Sequence, residues 1–319
     1  MLKVEVPIMK KRFILPVLCI CLCAGITGCG TDSSNTAALK DTESNVCSTE
    51  ISTGTDSADS DWDILTQQDY SFPVYNSAFY SQDYGITVGY DGEIHYTTDG
   101  GSNWPQAENT SMCRWGMDIV NENISYTCGN GAQVTKSTDG GKTFARAADF
   151  GGTEPNQCTM MSFADENNGI IASAKRLAVT ADGAATWKEL KTPSEIAAIR
   201  MTDASTFYFV GADFQIYKTT DAGQTWASTS MNLPDKENYK KAAQTFALSV
   251  DGKDSYTVYC FGKKDAVLKC YSTTDNWKTC TEHPMPEVSV SAHLYLSNTG
   301  DTLTVNATMG KSAIVLVRR

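Results

Sequence analysis

The chain has 319 residues, a formal net charge of −11 at pH 7, 41% hydrophobic residues and only three histidines. An acidic chain without a basic stripe has little with which to hold a phosphate backbone, so no nucleic-acid partner is expected. With no CxxC pair and so few histidines, neither a zinc site nor a Cys–His nucleophile is expected, nor any other metal or cofactor.

At the N-terminus, Lys10-Lys11-Arg12 precede an apolar run from Phe13 to Gly25, the layout of a secretory signal. The run falls short of the ~20 residues of a membrane-spanning helix. It ends in Ile26-Thr27-Gly28-Cys29, which resembles the lipobox of bacterial lipoproteins. That resemblance implies a signal peptide over residues 1–28 and a lipid on Cys29. It also implies a chain anchored at the bacterial cell surface, on the outer side of the cytoplasmic membrane, touching the membrane only through the lipid. Residues 29–61 follow as a stalk of Ser, Thr, Asp, Asn and Gly, with little to bury and a net negative charge. The cysteines left after signal and anchor are Cys47, Cys113, Cys128, Cys158, Cys260, Cys270 and Cys280. Their odd number leaves at least one thiol unpaired. Cys260 and Cys270 flank a hairpin turn at Gly262-Lys263-Lys264-Asp265, so they are expected to face each other across two strands.

Residues 62–319 carry a repeat. Its turns read Thr97-Thr98-Asp99-Gly100-Gly101-Ser102-Asn103-Trp104, Ser137-Thr138-Asp139-Gly140-Gly141-Lys142-Thr143-Phe144 and Thr180-Ala181-Asp182-Gly183-Ala184-Ala185-Thr186-Trp187. Thr219-Thr220-Asp221-Ala222-Gly223-Gln224-Thr225-Trp226 and a shortened Thr273-Thr274-Asp275-Asn276-Trp277 complete the set. The period of about 40–45 residues, with one longer interval, is that of a four-stranded propeller blade. Between turns, runs of β-branched and aromatic residues are punctuated by Asp-Gly and Gly-Gly. In the first unit they are Ala78–Ser81, Gly85–Tyr90, Glu93–Thr98 and an outer strand at Trp104. A sixth unit at His293–Ser297, Thr302–Asn306 and Ala313–Val317 lacks its turn and outer strand. Trp62-Asp63-Ile64-Leu65 looks like the missing outer strand. The expectation is an all-β single propeller of six blades closed by this N-terminal strand. Seven blades is the alternative, drawing on the spare stretch Asn232–Ala243.

These turns resemble the Asp-box, or bacterial neuraminidase repeat, of sialidase-like propellers. The stretch Val88–Gly101 is similar to the repeat of the photosystem II assembly/stability factor family and its non-photosynthetic relatives. The repeat-equivalent aspartates spread around a ring and cannot converge on one bond, as a catalytic carboxylate pair at ~5–10 Å must. Asp99, Asp139, Asp182, Asp221 and Asp275 are therefore read as turn scaffolds, and Trp104, Phe144, Trp187, Trp226 and Trp277 as wedges between blades.

Function is then sought on the face opposite the aspartates, where loops join second to third strands and one blade to the next. Arg114, Trp115, Lys175, Arg176, Asp213, Phe214, Lys263 and Lys264 are placed there, with Tyr239 and Lys240. An exposed Arg114-Trp115 pair would suit glycans or acidic peptides. The alternative packs Trp115 at a blade junction. A sialidase-like glycoside hydrolase would need three converging arginines and a Phe/Tyr-Arg-Ile-Pro segment. The sequence lacks that segment, and no arginine stands between the stalk and Arg114. The expected function is a non-catalytic, surface-tethered binding or assembly module with a monomeric head and a protein or glycan ligand. No catalytic residue is assigned. The hydrolase is the alternative.

Overall fold

A computed structural model describes residues 60–108, 111–151, 158–239, 241–263, 266–288, 293–307 and 311–319. The signal segment, Cys29, Cys47, the stalk to residue 59, Lys240 and Lys264 lie outside the described residues.

The strands form six antiparallel sheets in series. The first strand, β1 (Trp62–Asp69), belongs to the last sheet. Blade 1 is β2 (Val74–Phe79), β3 (Gly85–Gly89) and β4 (Ile94–Thr97). Blade 2 is β5 (Arg114–Ile119), β6 (Ser125–Gly129), β7 (Val134–Ser137) and β8 (Ala145–Arg146). Blade 3 is β9 (Met160–Phe163), β10 (Gly169–Ala172), β11 (Leu177–Thr180) and β12 (Lys188–Leu190). Blade 4 is β13 (Ile196–Met201), β14 (Phe207–Gly211), β15 (Gln215–Thr219) and β16 (Ala227–Ser230). Blade 5 is β17 (Phe246–Gly252), β18 (Ser255–Phe261), β19 (Leu268–Thr273) and β20 (Thr281–His283). Blade 6 joins β21 (His293–Leu296), β22 (Thr302–Asn306) and β23 (Ser312–Arg318) to β1. The chain is a six-bladed β-propeller. The seven-blade alternative is corrected: Asn232–Ala243 is the connection from blade 4 to blade 5, and its Leu233 and Tyr239 are buried between those blades.

Inner strands pack a neighbour on both faces, so β2, β3, β9 and β10 are buried along their whole length instead of alternating. Outer strands such as β8 and β12 are exposed. The buried apolar residues accordingly gather in clusters between blades: Phe163 with Tyr126 at blades 2 and 3, Tyr259 with Leu303 at blades 5 and 6. Blade 1 departs from expectation in two ways. Its first strand starts at Val74, before Ala78, and its outer edge is reduced to a single bridge between His95 and Gln106. Pro105 has no N–H to give a fourth strand there; its carbonyl accepts from Tyr96 at 3.1 Å instead.

Ring closure is a strand pairing. Trp62 lies opposite Arg318 and Asp69 opposite Ser312, and Arg319 donates its N–H to the Asp61 carbonyl at 2.9 Å. The side chain of Arg319 pairs with Asp63 at 2.6 Å.

The five aspartate turns share one hydrogen-bond scheme. In the second, Asp139 Oδ1 accepts from the Thr143 N–H at 3.0 Å and Oδ2 from the Thr143 hydroxyl at 2.7 Å. Ser137 donates its hydroxyl to Asp139 at 2.8 Å, and its oxygen accepts from the Gly141 N–H at 2.9 Å. The Gly140 N–H then reaches the Asn123 carbonyl in the β5–β6 loop at 3.0 Å, stapling one loop to the other. Equivalent staples run from Gly100 to Asp83, Gly183 to Asn167, Ala222 to Ser205 and Asn276 to Asp254, all at 2.8–2.9 Å. The two residues after each aspartate have positive φ, which favours glycine there.

The fifth turn is corrected. It is not shortened: Thr279 N–H and hydroxyl meet Asp275 at 2.9 and 2.8 Å, as Thr143 meets Asp139. Trp277 occupies the place of Gly101, Gly141 and Gly223, with φ of 66°, and donates its N–H to Thr273 at 3.0 Å. Cys280 stands where the other turns carry their aromatic. At Gly101 and Gly223 an added Cβ would lie 2.3–2.4 Å from Gln68 or Leu190 of the preceding blade. In the fifth turn the Trp277 indole lies at this position instead, completely buried in the cluster between blades 4 and 5. Cys260 and Cys270 are also corrected. Cys260 pairs with Lys269 and Cys270 with Tyr259, so the two thiols fall one residue out of register and point to opposite faces of the sheet.

The six inner strands surround a central channel that holds a cavity of only 60 Å³. Met117, Met160, Ala198, Leu294 and Leu296 make its middle apolar. Its aspartate-turn end is plugged. Asp118 accepts from the Phe163 N–H at 2.6 Å and the Tyr295 hydroxyl at 2.9 Å. Arg200 donates to the carbonyl of Asn298 at 2.8 Å and that of Ser297 at 3.2 Å. The plug ties blades 2, 3, 4 and 6 together across the axis.

Two predictions follow from the carboxylates. Burial raises Asp139, but the bonds from Thr143, Ser137 and Lys142 outweigh it and hold it below 3.8; Thr186 and Thr225 hold Asp182 and Asp221 at about 2. Such groups add stability above the ordinary carboxylate pKa and lose it as pH falls through the folded value. Asp139→Ala should cost about 1 kcal/mol at pH 7, lowering the melting temperature by about 2–4 °C. Wild-type melting should fall between about pH 4 and 2. Asp118 has the opposite sign, because burial raises its carboxyl against its hydrogen-bond donors. Asp118→Ala leaves the Phe163 N–H and Tyr295 hydroxyl without that acceptor and should cost about 3 kcal/mol in urea unfolding at low pH. The gap to wild type should narrow as pH rises through the raised value.

Candidate binding face

The chain enters and leaves the ring at one end. β1 begins opposite Arg318, at the end of β23 where other blades make their aspartate turns, and the Arg318 N–H bonds Asp301 in the β21–β22 loop at 2.9 Å. Both ends of the described chain therefore lie on the aspartate face. The opposite face carries the connections between second and third strands, which in blades 1 to 5 are β3–β4, β6–β7, β10–β11, β14–β15 and β18–β19.

Several residues expected on that face are committed to the fold. Arg114 is corrected: it is only 1% exposed, and donates to the Gln133 carbonyl at 3.1 Å. Phe214 is likewise corrected, being 2% exposed and packed edge-on against Phe246. Tyr239 is buried, its hydroxyl 2.7 Å from that of Tyr271. Arg176 grips Glu189 at 2.8 and 3.1 Å and lies over the Phe150 ring, and the Glu189 bond raises its pKa. Asp213 accepts from the Tyr217 hydroxyl at 2.6 Å. Lys263 donates to the Glu237 carbonyl at 2.6 Å. Lys175 is exposed, 3.6 Å from Glu195.

Trp115 is the residue of that set that remains half-exposed within an apolar group. Its ring lies 4.0 Å from Tyr75, and Tyr75 lies 4.9 Å from Tyr90, so three rings run side by side from blade 2 to blade 1. The indole N–H donates to Asn130 Oδ1 at 2.9 Å, which fixes the ring's orientation. Met112, in the blade 1–2 connection, stands beside Gly131 of the β6–β7 loop. Tyr90 is 43% and Met112 40% exposed, and only Ile64 and Val267 join them as exposed large hydrophobics among the described residues. The group can stack, cover an apolar surface and present the Tyr90 hydroxyl and the Asp91 carboxylate at its edge.

Sequence reading found Trp115 but missed Tyr75, Tyr90 and Met112. Tyr75 fell before the expected strand start. In the sequence pattern Tyr90 reads as a strand end, whereas in the structure it opens a tight turn in which Asp91 has φ of 48°. The hairpin loop Tyr90-Asp91-Gly92 was the available signal.

The arginines do not converge. Arg200 is in the channel plug, Arg114 is buried in β5, Arg146 pairs with Asp149, and Arg318 lies over Trp62.

No protein-family model matches the chain, and no curated protein matches it. Solved structures similar to it include the WD40 repeats of RRP9, at 9% identity and a TM-score of 0.56, covering 82% of this chain and 98% of that one. The WD40 propeller domain of Doa1 is similar at 9% identity and a TM-score of 0.54, over 81% and 97%. YCF48 bound to a D1 peptide is similar at 12% identity and a TM-score of 0.46, over 83% and 99%. Together with the six sheets, the WD40 likenesses establish what this chain shares with solved structures: the β-propeller fold.

Proposed function

We propose that the chain is a non-catalytic propeller that binds a protein ligand as a recognition or assembly module. In this reading the lipid on Cys29 holds it on the outer side of the cytoplasmic membrane. The ligand site is the Trp115–Tyr75–Tyr90 stack with Met112, and the exposed pair Tyr90 and Met112 is the observation that carries the reading. Large apolar side chains left in water on a rigid face mark interaction sites when they adjoin one another. Both ends of the described chain lie on the other face, so a tether leaves this one pointing outward. The small volume on the axis, 60 Å³, supports a surface ligand over a small molecule held in the channel.

A glycan reading rests on the same rings. Met112 favours protein: a flexible thioether packs well against apolar side chains and offers little to a hydroxyl-rich sugar.

The test is crosslinking on intact cells followed by mass spectrometry, comparing wild type with Tyr90→Ala/Met112→Ala. The expected outcome is at least about a tenfold loss of the crosslinked protein, with an unchanged melting temperature. Undiminished crosslinking, or saturable binding on a glycan array in its place, would count against a protein site here. Turnover of a fluorogenic sialoside would overturn the non-catalytic reading.

A further inference from the structure

Three cysteines of blade 2 and its exit meet around one glycine. The Cys113 carbonyl lies 2.0 Å from where a Cβ on Gly129 would stand, and the Cys158 N–H reaches the Gly129 carbonyl at 3.5 Å. That second contact brings the segment leading into blade 3 against the end of β6. Cys128 and Cys158 are both 0% exposed in the same blade 2–3 cluster, and the space beside Gly116 is bounded both by the Cys128 sulfur and by the carbonyl of Thr159, the residue next to Cys158. Gly116 makes room for them, since a Cβ there would come 2.9 Å from the Cys128 sulfur. Elsewhere, Cys260 and Cys270 are on opposite sheet faces, and Cys280 donates to the Asn232 carbonyl at 3.7 Å.

We propose that Cys128 and Cys158 are a disulfide-forming pair that locks blade 2 to the start of blade 3. Formation in the cell rests on the exported location proposed above; the pairing itself does not. The oxidant is a disulfide, either of a small thiol or of a dithiol–disulfide oxidoreductase. One cysteine, as thiolate, attacks a sulfur of that disulfide, forming a mixed disulfide and releasing one thiolate. The other then attacks the protein sulfur of the mixed disulfide, closing the Cys128–Cys158 bond and releasing the second thiolate. Two protons and two electrons leave the protein, and the oxidant is reduced to two thiols. Both sulfurs are shut away in the folded ring, so exchange takes place before blade 3 docks on blade 2.

The test refolds the full chain in a mixture of oxidised and reduced glutathione. Free thiols are then alkylated in denaturant without reduction, and the peptides mapped by mass spectrometry. The expected result is a linked Cys128–Cys158 peptide pair with Cys113 alkylated. Reductant should lower the melting temperature of this material by about 5–10 °C. Cys158→Ala should abolish that reductant dependence, and Cys113→Ala should retain it. Alkylation of both Cys128 and Cys158, or a bond from either to Cys113, overturns the pairing. A link in the refolded chain with free thiols in chain isolated from cells would leave the pairing standing and count against the oxidising, exported location.

Discussion

Everything in the ring depends on a carboxylate that accepts bonds from its own turn. A blade's third and fourth strands must reverse within a few residues, which exposes backbone N–H groups that no strand can satisfy. The aspartate accepts the N–H and the side-chain hydroxyl (in the first turn the amide N–H of Asn103) of the residue four positions on, while the Ser or Thr two positions back bonds both the carboxylate and the N–H two positions past it. With those donors consumed, one N–H is left pointing outward, and it staples the turn to the β5–β6-type loop of its own blade. Local turn chemistry thus becomes a contact between hairpins, which fixes how far each outer strand can swing from the axis.

The same scheme explains where substitution is free and where it is not. The residue two after the aspartate faces the preceding blade, so its size is set by the gap there. Where Gln68 or Leu190 fills the gap and φ is positive, glycine is favoured; in blade 5 Trp277 takes that place, and Cys280 inherits the aromatic's place. Wedging is therefore conserved in volume and not in position. Blade 6 ends before any such turn. It uses the pairing of β1 with β23 and the Arg319–Asp63 ion pair to hold its outer edge, a substitute assembled from the two ends of the described chain.

The architecture was legible because the repeat and the strand punctuation both report local backbone chemistry. The blade count and the closure by Trp62 come out of period and pattern alone. The fifth turn was misread because an aromatic was matched by type, when the informative spacing runs from Asp275 to Thr279. The binding face was legible only as a face. Arg114 and Phe214 looked exposed because a loop-flanking position says nothing about whether a neighbouring blade covers it. Tyr75 and Trp115 stack across a blade junction, a contact between residues that no single repeat contains. Cys260 and Cys270 failed on a single residue of register, the smallest error that turns a side chain to the other side of a sheet.

A propeller built this way separates its two faces by what they can afford to change. On the aspartate face, side chains that close the turns are tied to backbone groups, so a ligand there would compete with the bonds that hold the blades. The opposite face has looser rules. Its hairpins need a glycine where chain segments approach closely: a Cβ on Gly89 or Gly129 would lie 2.0–2.2 Å from the Pro73 or Cys113 carbonyl. The next residues are less constrained, as Tyr90 and Asn130 show by differing at equivalent positions. Residues without a structural duty can be spent on recognition. Tyr90 and Met112 are 43% and 40% exposed where Arg114 and Phe214 are 1% and 2% exposed, so the same face carries both side chains enclosed by the fold and side chains that meet water.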